Sequence, residues 1–203
     1  MDKIDLKKTE KQFYAPKKEP AIVEIPRMNF LIVDGKGDPN TSQEYVDAVQ
    51  VLYSLSYTLK FYIKHNNLGP DYTVLPLEGL WWIDDMEMFK TAKKDDWLWT
   101  AMIRQPDFIT QEHINTAIDS VRKKNNPTKL TSVRFESFTE GLVVQVMYVG
   151  PYTDEGPTIE SMHKFAMDNG YRLRDKHHEI YLSDPRRAKP EKLKTVIRQP
   201  ITK

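Results

Sequence analysis

The 203-residue sequence predicts an α+β protein made of two tandem modules of order strand, helix, strand, strand, with antiparallel sheets around a central ligand cleft. The first observation behind this is a repeated tetrapeptide: Ile-Arg-Gln-Pro stands at Ile103 to Pro106 and again at Ile197 to Pro200, each copy closing a run that reads as a β-strand. The second is that weaker matches precede both copies in one order. Leu77-Glu78-Gly79-Leu80-Trp81-Trp82 precedes the first and His178-Glu179-Ile180-Tyr181 the second. Further upstream, two apolar strands end at Gly35 and Gly150, each leading into a helical pattern. The tetrapeptides are 94 positions apart and the glycines 115, which describes a duplication with insertions rather than a solenoid.

Residues 1–19, rich in Lys with Pro16 nearby, read as a tail or as an extension pinned through Phe13 and Tyr14. A first strand is expected within Ala21 to Asp34. Thr41 or Ser42 then caps a helix of about six turns, because Tyr45, Val49, Leu52, Leu59 and Ile63 recur on one face with Ser56 among them. Gly69-Pro70 ends it. Tyr72 to Leu77 and Asp96 to Arg104 are strand-like, the second through alternation of Trp97, Trp99, Ala101 and Ile103. A linking helix over about 110–126 presents Ile114, Ala117, Ile118 and Val121, with Pro127 beyond its end. Val133 to Phe138 and Leu142 to Val149 are expected to form a hairpin around Thr139-Glu140-Gly141. Pro157 suits the first turn of the next helix, Ile159, Met162, Phe165 and Ala166 form its apolar stripe, and Asn169-Gly170 closes it. The last strands are expected at His178 to Asp184 and Leu193 to Gln199. The modules thus cover about 20–109 and 130–203 within one domain spanning 20–203.

Thirty Lys and Arg against 29 Asp and Glu leave a formal net charge of +1, too little to steer the chain onto a polyanion, so no direct nucleic-acid partner is expected. No cysteine is present, which removes disulfides, thiolate nucleophiles and thiolate metal sites. With no long apolar stretch and no apolar region near the N-terminus, a cytoplasmic protein with no membrane partner is expected. His163, His177 and His178 lack metal-ligand spacing, and Gly35-Lys36-Gly37-Asp38 lacks the remainder of a phosphate loop, so neither metal nor cofactor is expected. No Gly-x-Ser-x-Gly element occurs.

Trp81, Trp82, Trp97 and Trp99 fall in two strand-like segments of the first module. As a set they suit an aromatic wall for a flat or cationic ligand; singly, each suits a core. Trp81 and Trp82, being consecutive, point to opposite faces of a strand. Tyr148, Tyr152 and Tyr181 extend such a wall in the second module. Alternation groups Glu179 with Tyr181 and Ser183. Glu179 is either a strand carboxylate paired with Arg198 or Arg172, or a pocket carboxylate whose charge is opposed by desolvation and favoured by a ligand cation or by tyrosine hydroxyls. Glu78 is its expected counterpart in the first module.

Gly150-Pro151-Tyr152, Glu179-Ile180-Tyr181-Leu182-Ser183-Asp184-Pro185 and Leu193-Lys194-Thr195-Val196-Ile197-Arg198 together resemble the GyrI-like small-molecule-binding family, which also supplies the effector-binding domain of multidrug-responsive transcription regulators. Pro76-Leu77-Glu78-Gly79 and Met102 to Phe108 bring the likeness closest to stand-alone bacterial members, over residues 20–203. The resemblance implies an aromatic pocket with Glu179 at its floor, binding aromatic or cationic compounds. Some stand-alone relatives are similar to hydrolases that open the cyclopropane ring of DNA-alkylating natural products, which implies catalytic roles for Glu179 and Tyr148. Trp81, Trp82, Trp97, Trp99, Tyr152 and Tyr181 would then bind the ligand. The regulators' helix-turn-helix has no counterpart in this sequence. A hydrolase that detoxifies such compounds, a drug-sequestering module acting with a protein partner, and an interaction protein with a tryptophan core remain the competing expectations.

Overall fold

The structure, a computed structural model, describes residues 3–86 and 91–203, so Met1 and Asp2 of the predicted tail lie outside the described residues. Its fold is α+β and divides into two compact units: one comprises the chain up to Leu6 with residues 28–138, the other residues 7–27 with 139–203. The first unit follows the predicted order of strand, helix, strand, strand, and the second repeats it with one additional two-residue strand after its helix.

The first unit takes the C-terminal half of β1 (Ala21–Lys36), then α3 (Gln43–His65), β2 (Leu77–Trp82), β3 (Leu98–Gln105) and α4 (Gln111–Lys124), and the start of β4 (Arg134–Val149). Ser42 caps α3 by accepting from the Tyr45 backbone N–H at 3.3 Å. Thr110 and His113 form a capping box on α4. β3 is the central strand, with Ile103 opposite both Leu31 of β1 and Leu77 of β2. The Gln105 amide donates to the Ser56 hydroxyl of α3 at 3.2 Å, so the face carrying Trp99, Ala101, Ile103 and Gln105 is the one α3 covers. Val51, Leu52, Leu55, Leu59 and Ile63 of α3 are buried, each contributing roughly 1.5–3 kcal/mol through removal from water. Tyr72 belongs to no strand and forms only an isolated bridge to Ile4; β2 starts at Leu77, after Pro76, which supplies no N–H for a ladder.

The second unit begins with two short helices, α1 (Leu6–Thr9, all but its first residue) and α2 (Lys11–Tyr14), then takes the N-terminal half of β1 and the rest of β4. It continues with α5 (Gly156–Asp168), β5 (Arg172–Leu173), β6 (His177–Tyr181) and β7 (Lys194–Thr202). Phe13 and Tyr14 are buried, so the N-terminal segment is a pinned extension. β7 is central, with Ile197 opposite Val146 of β4 and Glu179 of β6. The two tetrapeptides therefore hold equivalent positions. Leu31 opposite Ile103 matches Val146 opposite Ile197, with the offsets of 115 and 94 seen in the sequence. Val144, Val146, Ile197 and Ile201 pack with Met162 and Ala166 of α5, which makes this the helix-covered face.

The expected hairpin at Thr139 to Gly141 does not exist. β4 is one continuous 16-residue strand, and Gly141, at φ +73°, introduces a bulge instead of a turn. The displaced alternation is visible in Arg198, which bonds both Glu140 and Gln145 although these are five residues apart on the strand. The closing strands are also shifted from expectation, to His177–Tyr181 and Lys194–Thr202.

Candidate functional site

Glu179 stands opposite Ile197, whose other neighbour is Val146; one rung along, Tyr181 and Tyr148 flank Thr195 from either side. These side chains share the helix-covered face of the second unit's sheet. A carboxylate thus sits in the row next to an aliphatic core, and only 8% of Glu179 is exposed.

Three groups satisfy it. His177, two residues back on the same face, places Nε2 3.1 Å from Glu179 Oε1. Tyr181 donates its hydroxyl, and the Glu155 side chain bonds to it as well. Burial pushes the Glu179 pKa up, but the His177 hydrogen bond and charge, with the bonds from Tyr181 and Glu155, outweigh it and hold the carboxyl below its ordinary value. Glu179 is therefore ionised at neutral pH.

The segment after β4 closes one side. Tyr152 opens a short 3₁₀ turn and Glu155 precedes α5, and the Tyr152 ring meets Tyr181 edge-on with centroids 5.6 Å apart. The Tyr148 hydroxyl donates to the Pro151 carbonyl at 2.8 Å. A Cβ at Gly150 would lie 2.5 Å from that hydroxyl, so the close approach of ring and backbone requires glycine here. Burial, with Asp154 and Glu155 adding to it, raises the Tyr148 pKa, so the phenol stays protonated.

The opposite face of the same strands carries a second buried cluster. Arg198 donates to Gln145 Oε1 at 3.1 Å, to Glu140 Oε2 at 3.5 Å and to the Phe13 carbonyl at 2.8 Å, while His178 Nδ1 lies 2.8 Å from Glu140 Oε1. Arg198 is thus the partner of Glu140 and the clamp on the N-terminal extension. Its expected partner Glu179 has His177 instead. Burial raises the Glu140 pKa, but His178 and Arg198 carry the net shift downwards.

The structure places Glu179, Tyr181, Tyr152 and Tyr148 in one unit and adds His177, which the sequence suggests only as a metal ligand lacking the spacing, and Glu155, which no sequence signal singles out. His177-x-Glu179 within a strand is itself a signal that both side chains share a face. The four tryptophans belong to the first unit. Trp99 is fully buried, with its ring 5.1 Å from Tyr45 and against Gly35, and Trp81 meets Tyr45 at 5.6 Å and Trp97 at 5.9 Å. Trp82 is half-buried on the face opposite Trp81. Glu78 is not the structural counterpart of Glu179: it lies opposite Met102, and by the offsets above its equivalent is Ile180, on the other face. The one-residue difference exchanges faces. Among the described residues no group of His, Asp and Glu could hold a metal ion, and no helix is long and apolar enough to cross a membrane.

A buried carboxylate bonded by Tyr181, with Tyr152 against Tyr181 and Tyr148 across β7, is the candidate site on a duplicated α+β frame. Residues 18–202 match the GyrI-like small molecule binding domain, and the chain belongs to that family. It is similar to an uncharacterized conserved protein from Listeria innocua, at 46% identity and a TM-score of 0.92, covering 98% of this chain and 100% of that one. It is similar, too, to a hydrolase from Listeria innocua, at 45% identity and a TM-score of 0.86 with the same coverage. The C-terminal domain of EcmrR shares the fold at 14% identity and a TM-score of 0.56, over 91% of this chain and 98% of that one. No curated protein sequence matches.

Proposed function

We propose that the protein binds flat aromatic compounds, cationic ones included, at the Glu179 face, and hydrolyses cyclopropane-bearing alkylators there. The observation that carries this reading is the ionised carboxylate held against an aliphatic core beside Tyr148, Tyr152 and Tyr181. A carboxylate kept charged in such surroundings attracts a desolvated cation and also serves as a general base. The likeness to a hydrolase over the whole chain favours turnover.

In the proposed reaction Glu179 takes a proton from water as its oxygen attacks the strained ring carbon. The carbon–carbon bond breaks, and its electron pair passes into the conjugated carbonyl. The resulting oxyanion is stabilised by a hydroxyl donor and then protonated, so the elements of water are added overall. Tyr148 serves as that donor once its hydroxyl leaves Pro151. The competing reading is a sequestering module, favoured by that same engagement of Tyr148. Single-turnover ring opening of a cyclopropane-containing alkylator by wild type and by Glu179→Gln decides between them. Wild-type turnover lost in the variant supports the hydrolase; no wild-type turnover, with binding retained, supports the sequestering module.

A further inference from the structure

Thr195 occupies the centre of the Glu179 face. It lies on β7, opposite Tyr148 on one side and Tyr181 on the other, one rung from the pair formed by Glu179 and Ile197. Its exposure is 0%, and its Oγ1 has no hydrogen-bond partner among the described residues. Neither flanking tyrosine hydroxyl bonds it. The Tyr148 hydroxyl is held on the Pro151 carbonyl, and Tyr181 donates to Glu179. A buried hydroxyl left unbonded costs about 1–3 kcal/mol. Valine would fill the same space without that cost, so the hydroxyl is explained by a polar group that reaches it.

We infer that Thr195 is a ligand-binding residue of the Glu179 site, donating its hydroxyl to a carbonyl oxygen on a flat aromatic ligand and so selecting oxygen-bearing aromatics over hydrocarbons of the same shape. This rests on the proposed binding of aromatics at that face. The geometry gives the site two poles: Glu179 for positive charge or for water, and Thr195, between two tyrosines, for the oxygen. The Thr195 hydroxyl can also meet the developing oxyanion without displacing the Tyr148 bond.

The test compares 9-fluorenone with fluorene, a ketone and a hydrocarbon of nearly equal shape, by equilibrium dialysis against wild type and Thr195→Val, with thermal melts of both ligand-free proteins. The expected result is fluorenone affinity about tenfold weaker in the variant, as loss of one hydrogen bond implies, with fluorene affinity unchanged and the melting temperature equal or higher. Equal weakening of both ligands, or none of either, overturns the inference while leaving the aromatic site standing. A melting temperature several degrees below wild type also overturns it, since the hydroxyl then has a structural partner. If wild type binds neither probe, the aromatic-binding reading itself fails, and this inference with it.

Discussion

Glu179 lies directly across the β6–β7 ladder from Ile197, a residue fully buried among Met162, Ala166 and Val146. The charge is therefore kept by a few bonds from His177, Tyr181 and Glu155 rather than by water.

Ligand binding should report that charge. Because the Glu179 pKa is held below its ordinary value, near 4.3 in model peptides, the carboxylate persists through the whole range above it. Affinity for an aromatic cation such as crystal violet should stay flat from pH 8 to pH 5 and drop on Glu179→Gln, with a thermal melt checking that the variant is folded. A titration midpoint inside that range in the wild type would refute the assignment.

Arg198 should matter for folding more than for ligands. Its side chain is 3% exposed, and its guanidinium joins Glu140, Gln145 and the Phe13 carbonyl. Arg198→Met would leave the Glu140 charge buried with His178 alone, and breaking such a pair typically costs about 3–5 kcal/mol. Chemical denaturation should show that loss, and limited proteolysis should cut sooner near Phe13. A change below about 1 kcal/mol would mean that the cluster contributes little.

This network also explains where the sequence could and could not be read. Helices α3 and α4 were legible because Ser42 and Thr110 are capping residues ahead of a 3.6-residue pattern, a purely local signal. The tandem frame was legible because the two Ile-Arg-Gln-Pro copies kept their ladder positions. The course of β4 was not. Thr139-Glu140-Gly141 has turn composition, and only the tertiary bonds of Glu140 to His178 and Arg198 reveal a bulge. Pairing Glu78 with Glu179 failed for a related reason: residue identity suggested an equivalence that strand register, set by partners far along the chain, does not support.

The acid limb of stability follows from Glu140. Its folded pKa lies below the unfolded one, so its contribution is fully present above about pH 4.3 and is lost as pH falls through the folded value. Glu179 shifts in the same direction and adds to the effect. Melting curves between pH 7 and pH 2.5 should therefore fall more steeply for wild type than for Glu140→Gln below pH 4.3. Parallel curves would remove Glu140 as a source of acid sensitivity.

Gly150 offers a test of how the tyrosines are placed. A Cβ there would meet the Tyr148 hydroxyl at 2.5 Å and its ring carbon Cζ at 2.9 Å, distances that real Cβ atoms essentially never show. Gly150→Ala must therefore displace the ring and break the bond from Tyr148 to Pro151, the residue before Tyr152 and the turn leading to Glu155. Tyr148→Phe removes that hydrogen bond alone, at about 0.5–1.5 kcal/mol. If the phenol is what alanine strikes, the double variant should be less destabilised than the two single effects combined, by roughly 0.5–3 kcal/mol of coupling. Ligand affinity should fall further in Gly150→Ala than in Tyr148→Phe, because only the former moves Tyr152 and Glu155 relative to Glu179. Strict additivity in denaturant melts, with equal affinities for the two single variants, would show that Tyr148 and the segment carrying Tyr152 are positioned independently.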